Sequence, residues 1–141
     1  MLVILLPDQI VKHWDELRYY IESSMPIHKK RKYDMAKIIM HIIGGVLLVT
    51  CLKDKDGSII AVFTLTVVRD KVTGINSLEI MTGYAVRMLV KEEIDNIMKT
   101  VYPLARDKGC TNVLFYTDSE QVIDAFKQGG AIAHTYLMWE V

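Results

Sequence analysis

The stretch TGYAVRMLVKEEI, residues 82 to 94, holds the pattern in this chain that most resembles a chemical device. Its composition reads as the end of a strand running into the start of a helix, which aims backbone N–H groups and the positive end of the helix dipole at one point. That geometry holds a diphosphate. Arg87 and Lys91 add cations, but the only glycine, Gly83, precedes the turn instead of lying within it. Backbone approaches a phosphate closely only where side chains are small, so the segment reads as a working cradle or as the remnant of one.

Other chemistry-bearing residues are more scattered. HKKRKY, residues 28 to 33, sets four consecutive cations beside an aromatic, which could contact phosphate or nucleic acid through charge and stacking. Seventeen Lys and Arg balance seventeen Asp and Glu, and no second basic segment exists. A solvated loop fits that balance better, and nucleic acid is not expected as a partner. His13, His28, His41 and His134 show no ligand spacing and read as structural or solvated, and Cys51 and Cys110 form no CxxC, so no metal is expected. Two isolated cysteines point to a reducing, cytoplasmic setting. The opening MLVILLPD lacks a basic leader, and its six apolar residues are too few to span a bilayer.

The elements that must position these residues follow from periodicity. A chain of 141 residues with 51% hydrophobic content makes one domain, residues 1–141. The opening apolar run reads as a strand, and Ile10, Val11, Trp14, Leu17 and Ile21 then recur at helical spacing until SSMP. YDMAKIIMHIIGG reads as a second helix. VLLVTCL, SIIAVFTLTVV and SLEIMTGYA are rich in β-branched residues and separated by the turns KDKDG and RDKVTGIN, which predicts three consecutive antiparallel strands over residues 46 to 84. A helix with Ile94, Ile97, Met98, Val101 and Leu104 inward leads to the strand NVLFY, a capped helix TDSEQVIDAFKQGG, and a last strand AIAHTYLMWEV. The eight methionines mostly fall on apolar faces and read as core filling.

That order of strand, two helices, three strands, helix, strand, helix, strand resembles the GNAT acyltransferase superfamily over nearly the whole chain. The resemblance implies an α/β (α+β) fold: a mixed sheet with an antiparallel three-strand meander, splayed central strands and about four helices. It further implies that the strands 76 to 84 and 112 to 116 part to admit the pantetheine arm of acetyl-CoA. The family's phosphate loop reads Arg or Gln, two residues, Gly, one residue, then Gly or Ala. Arg87 falls on its first position, whereas Val90 and Glu92 occupy the small-residue positions. The tyrosine that in the family commonly protonates the leaving thiolate would be Phe126, which carries no hydroxyl, and Gly130 retains the family's glycine.

On that resemblance Glu79 is the candidate base, directly or through water, and Tyr116 the phenol that replaces the hydroxyl missing at Phe126. Tyr84 and Tyr136 compete for the acid role. The backbone N–H near Met81 would polarise the thioester, and Gly83, Arg87 and Lys91 complete the candidate acetyl-CoA site. Plain readings stand beside these: strict alternation puts Leu78, Ile80 and Thr82 on one face and Glu79 and Met81 on the other, and Glu79 could be a solvated strand residue. Tyr116 could be a packing residue with a wet tip.

Two functions remain. One is an N-acetyltransferase moving an acetyl group from acetyl-CoA to an amine acceptor. The other is a non-catalytic GNAT-like interaction module, which the eroded loop and compact size liken to the small GNAT-like proteins of tailed phages, some of them virion-associated. In that case the setting is the host cytoplasm or the virion. The apolar ending YLMWEV favours a protein partner or homo-oligomer.

Overall fold

The computed structural model describes residues 1–26, 33–139 and 141, so His28 to Lys32 of the basic run lie outside the described residues. Five strands form one mixed sheet in the order β1-β2-β3-β4-β5. These are β1 (Leu2–Ile4), β2 (Leu47–Lys53), β3 (Ile59–Arg69), β4 (Asn76–Ala85) and β5 (Asn112–Phe115). The expected meander is present, with β2, β3 and β4 antiparallel in succession, and β5 adds in parallel to β4. Asp70 fixes the β3–β4 turn, its carboxylate accepting from the N–H groups of Val72 and Thr73.

Helices cover both faces of the sheet. On one side α4 (Lys91–Asp107) presses Ile97, Val101 and Ala105 onto Phe63, Leu65, Leu78 and Ile80. On the other lie α1 (Pro7–Lys12), α2 (Trp14–Ser23) and α3 (Met35–Ile43), whose Leu17, Ile21 and Ile38 meet Leu47, Val49 and Val62. Each fully buried aliphatic side chain of this kind contributes about 1.5–3 kcal/mol. Helix α5 (Glu120–Gln128) is capped by the Ser119 hydroxyl, which accepts from the N–H of Val122. Cys51 and Cys110 are buried free thiols. No helix among the described residues is long and apolar enough to cross a membrane.

Three sequence expectations need correction. The first helix is two, because His13 at φ −110°, ψ 20° interrupts the run, which raises the helices among the described residues to five. The last strand does not form, and residues 131–139 run beside the domain without regular pairing. Ile132, Leu137 and Trp139 are exposed there, so β-propensity found no packed surface to reward it. Strict alternation also fails in β4: Thr64 pairs with Thr82 but Leu65 with Ile80, which leaves Met81 as an extra residue. This bulge turns Thr82 to the face of Glu79, where its hydroxyl meets that of Thr64 at 2.6 Å.

Beyond the bulge, Gly83 lies between two aromatic rings. A Cβ there would sit 2.8 Å from Cζ of Phe115 and 3.0 Å from Cδ1 of Phe63. Gly83→Ala is expected to force both rings aside and cost roughly 1–3 kcal/mol. For a domain of this size that lowers the melting temperature by several degrees, measurable by calorimetry.

Candidate functional site

The site arises where two strands part. β5 pairs with β4 only from Ser77 to Ile80, whereas β4 stays paired to β3 as far as Ala85. The gap that opens beyond Ile80 is a cleft of about 580 Å³. Gly83, Tyr84 and Ala85 of β4 form one wall, and Phe115, Tyr116 and the turn into α5, with Asp118 and Ser119, form the other. Ser24 and Met25 at the end of α2 close one side, and His134 and Tyr136 of the C-terminal segment close another.

Gly83 and Tyr116 are thus brought to the cleft. Glu79 and Met81 are not among its lining residues. Glu79 is 5% exposed, so it is no solvated strand residue, and it lies on the sheet face away from Leu78 and Ile80. Met81 packs against the cluster of Ile21, Met25 and Ile38. Phe126 stands behind the wall, edge-on to Phe115 with centroids 5.4 Å apart.

Arg87 and Lys91 sit outside the cleft at the start of α4, and both are paired with carboxylates of that helix. The Arg87 guanidinium grips Glu93 with two nitrogens, Nη2 to Oε1 at 2.7 Å and Nη1 to Oε2 at 3.0 Å. The Val90 N–H donates to the same Oε2 at 3.1 Å, and Lys91 reaches Asp95 at 3.3 Å. The helix start is therefore capped by its own anion, in the position an external phosphate would take. The hydrogen bond from Arg87, followed by that from Val90, holds the Glu93 carboxyl below the usual carboxylate range, and Arg87 is raised in turn.

Phenols crowd the other rim. Tyr84 stacks on Tyr20 at 4.6 Å with the rings 15° apart, and the Tyr20 hydroxyl donates to Glu16 at 2.7 Å. That hydrogen bond, with desolvation, pushes Tyr20 up to about 12, and desolvation followed by the nearby Tyr19 raises Tyr84. Both hold their protons firmly, which makes Tyr84 a poor acid. Tyr116 and Tyr136 meet edge to face at 5.5 Å, so the C-terminal segment docks on the end of β5. His134, two residues earlier, faces the same cleft. Sequence reasoning missed it because its place on the cleft comes from the path of an irregular segment, which no spacing encodes. Among the described residues no group of three His, Cys, Asp or Glu could hold a metal.

No protein-family model and no curated protein matches the chain in sequence. Solved structures do match it over its whole length. An aminoglycoside acetyltransferase from an uncultured soil metagenomic sample superposes with a TM-score of 0.71 at 9% identity, covering 100% of this chain and 96% of that one. An acetyltransferase from Trypanosoma brucei gives 0.65 at 15% identity (100% and 98%), and the glucosamine-6-phosphate N-acetyltransferase of Arabidopsis thaliana 0.64 at 13% (100% and 97%). The chain has the GNAT fold.

A depressed carboxylate contributes stability above its unfolded value and loses that contribution as pH falls through its folded value. The stability difference between the wild type and Glu93→Gln should accordingly be constant near neutrality, shrink from about pH 4.3 downward, and vanish in stronger acid. Urea unfolding across pH 2 to 7 would measure it; a difference that grows on acidification would contradict the assignment.

Proposed function

We propose that this protein is an acyl-CoA-dependent N-acetyltransferase whose pantetheine-binding cleft is the gap between β4 and β5. The observation that carries the reading is the parting of the strands at Ile80 and Phe115 beside an open cleft. Past Ile80, no strand among the described residues pairs with β4 on the β5 side, so its backbone there suits the amides of an extended pantetheine arm. Gly83 adds no side chain to that wall, where a Cβ would meet Phe63 and Phe115. The bulge at Met81 turns backbone groups out of the ladder next to the point where a thioester would lie, which suits a polarising N–H.

In this reading acetyl-CoA supplies an activated acyl group and a thiolate leaving group. Tyr116, on the cleft wall, donates its hydroxyl proton to the departing sulfur. The diphosphate lies toward Arg87 and Lys91, in competition with Glu93 and Asp95. Glu79, the base candidate that the strand position offered, is buried and absent from the cleft lining, so any part it takes in proton transfer would have to run through water.

One observation favours a second reading. A helix start already neutralised by Glu93, with Val90 at its N-cap, has what a structural helix needs and no vacancy for a phosphate. A non-catalytic GNAT-like interaction module, such as a virion-associated phage protein, would keep the fold and lose the cofactor in this way.

Calorimetric titration with acetyl-CoA and desulfo-CoA separates the two. The enzyme reading expects saturable binding of both at or below millimolar concentration, and no heat at that level would remove it. Given binding, Tyr116→Phe should lower turnover by about 10²-fold or more without weakening acetyl-CoA, as expected for a lost general acid; equal turnover would exclude the Tyr116 assignment.

A further inference from the structure

We propose that His134, on the C-terminal segment, is the base that accepts the proton from the acceptor ammonium. This rests on the acetyl-transfer reading and adds a residue to it. An amine acceptor is protonated at neutral pH and cannot attack until a base relieves it. That base must reach the cleft, and the buried Glu79 does not line it. The titratable side chains that do, among the described residues, are Asp118 from the turn before α5, Tyr84 from β4, Tyr116 from the end of β5, and His134 and Tyr136 from the C-terminal segment. Imidazole is the side chain that ordinarily changes charge between about pH 5 and 8; a carboxylate is a weak base and a phenol keeps its proton.

The geometry gives this residue a reason to be where it is. His134 and Tyr136 both line the cleft, and Tyr136 is braced edge-on against Tyr116, so the segment that carries His134 is docked on the cleft wall. His134 is also exposed, which lets it pass its proton to water after each cycle. The steps balance: an imidazole nitrogen takes one proton from the ammonium, the free amine nitrogen bonds to the thioester carbon, and the carbon–sulfur bond breaks. The sulfur leaves with its electron pair and receives the Tyr116 proton, while the nitrogen loses its second proton to the resulting phenolate through solvent. The products are an N-acetyl amide and free coenzyme A thiol.

Thiol release from acetyl-CoA, with water or a panel of primary amines as acceptor, would be followed across pH 5 to 9 in the wild type, His134→Gln and Glu79→Gln. The wild-type rate should rise with pH through the imidazole range. His134→Gln should lose that limb and at least tenfold in kcat while the KM for acetyl-CoA stays the same, which a merely structural role would not produce. Carbethoxylation of His134 by diethylpyrocarbonate, mapped by mass spectrometry, should be blocked by bound acetyl-CoA. An unchanged pH profile in His134→Gln, or loss of the limb in Glu79→Gln instead, overturns the proposal and leaves the acetyltransferase intact. Binding of acetyl-CoA with no thiol release from the wild type overturns the proposal and the transfer on which it rests. Absence of acetyl-CoA binding by calorimetry removes the acetyltransferase reading and this one together.

Discussion

At Met81 two constraints on β4 change within one residue. On the β3 side the register gains an extra residue, and on the β5 side pairing stops at Ile80. A strand held on both edges has no backbone to offer a ligand; a strand held on one edge has a row of it. The cleft, the turn of Thr82 toward Glu79, and the need for glycine at position 83 all descend from this local change. Phe63 and Phe115 crowd Gly83 from two neighbouring strands, so the wall is narrow because the core behind it is full.

The start of α4 shows two uses of one electrostatic feature in competition. A helix N-terminus attracts an anion, and here the anion is the Glu93 carboxylate, tied down by Arg87 and Val90. The Arg87 side chain is 46% exposed and that of Glu93 19%, and a bidentate ion pair at such partial exposure is worth on the order of 1 kcal/mol. Even millimolar binding of a ligand is worth about 4 kcal/mol. A diphosphate bound as proposed would therefore have to displace the internal pair at the expense of part of its own affinity. The branched side chain of Val90 is the more durable obstacle, because it occupies space instead of charge.

What the sequence made legible is what repeats locally. β-branched runs between Asp- and Gly-containing turns announced β2, β3 and β4, and helical spacing from Ile94 to Leu104 announced α4, because those patterns are set by burial on one face. The bulge was not legible: the alternation of SLEIMTG continues smoothly through Met81, and the slip is decided by the partner strand. For the same reason alternation puts Thr82 on the face opposite to the one it occupies. AIAHTYLMWEV carries strand composition, yet its described residues form no strand, since propensity needs a neighbouring strand; Tyr136 packs on Tyr116 instead. Gly83 and Tyr116 could be placed on the cleft because both lie at strand ends, whose position follows from the elements. His134 could not, because a segment without regular structure gives no rule for which way its side chains turn.

The parallel pairing of β4 with β5 has a kinetic side. Strands β2, β3 and β4 meet across short turns, but β5 reaches β4 only after the chain has passed through the whole of α4, and it is a strand of four residues. Closing that longer loop costs more chain entropy, and few ladder bonds repay it. The margin that forms the cleft is thus held by a short ladder and, like the three-residue β1 at the other edge of the sheet, is expected to open early in native-state fluctuations. A ligand bridging β4 and β5 would act as the missing continuation of the ladder, so occupancy of the cleft and slow hydrogen exchange at its edges would be two faces of a single equilibrium.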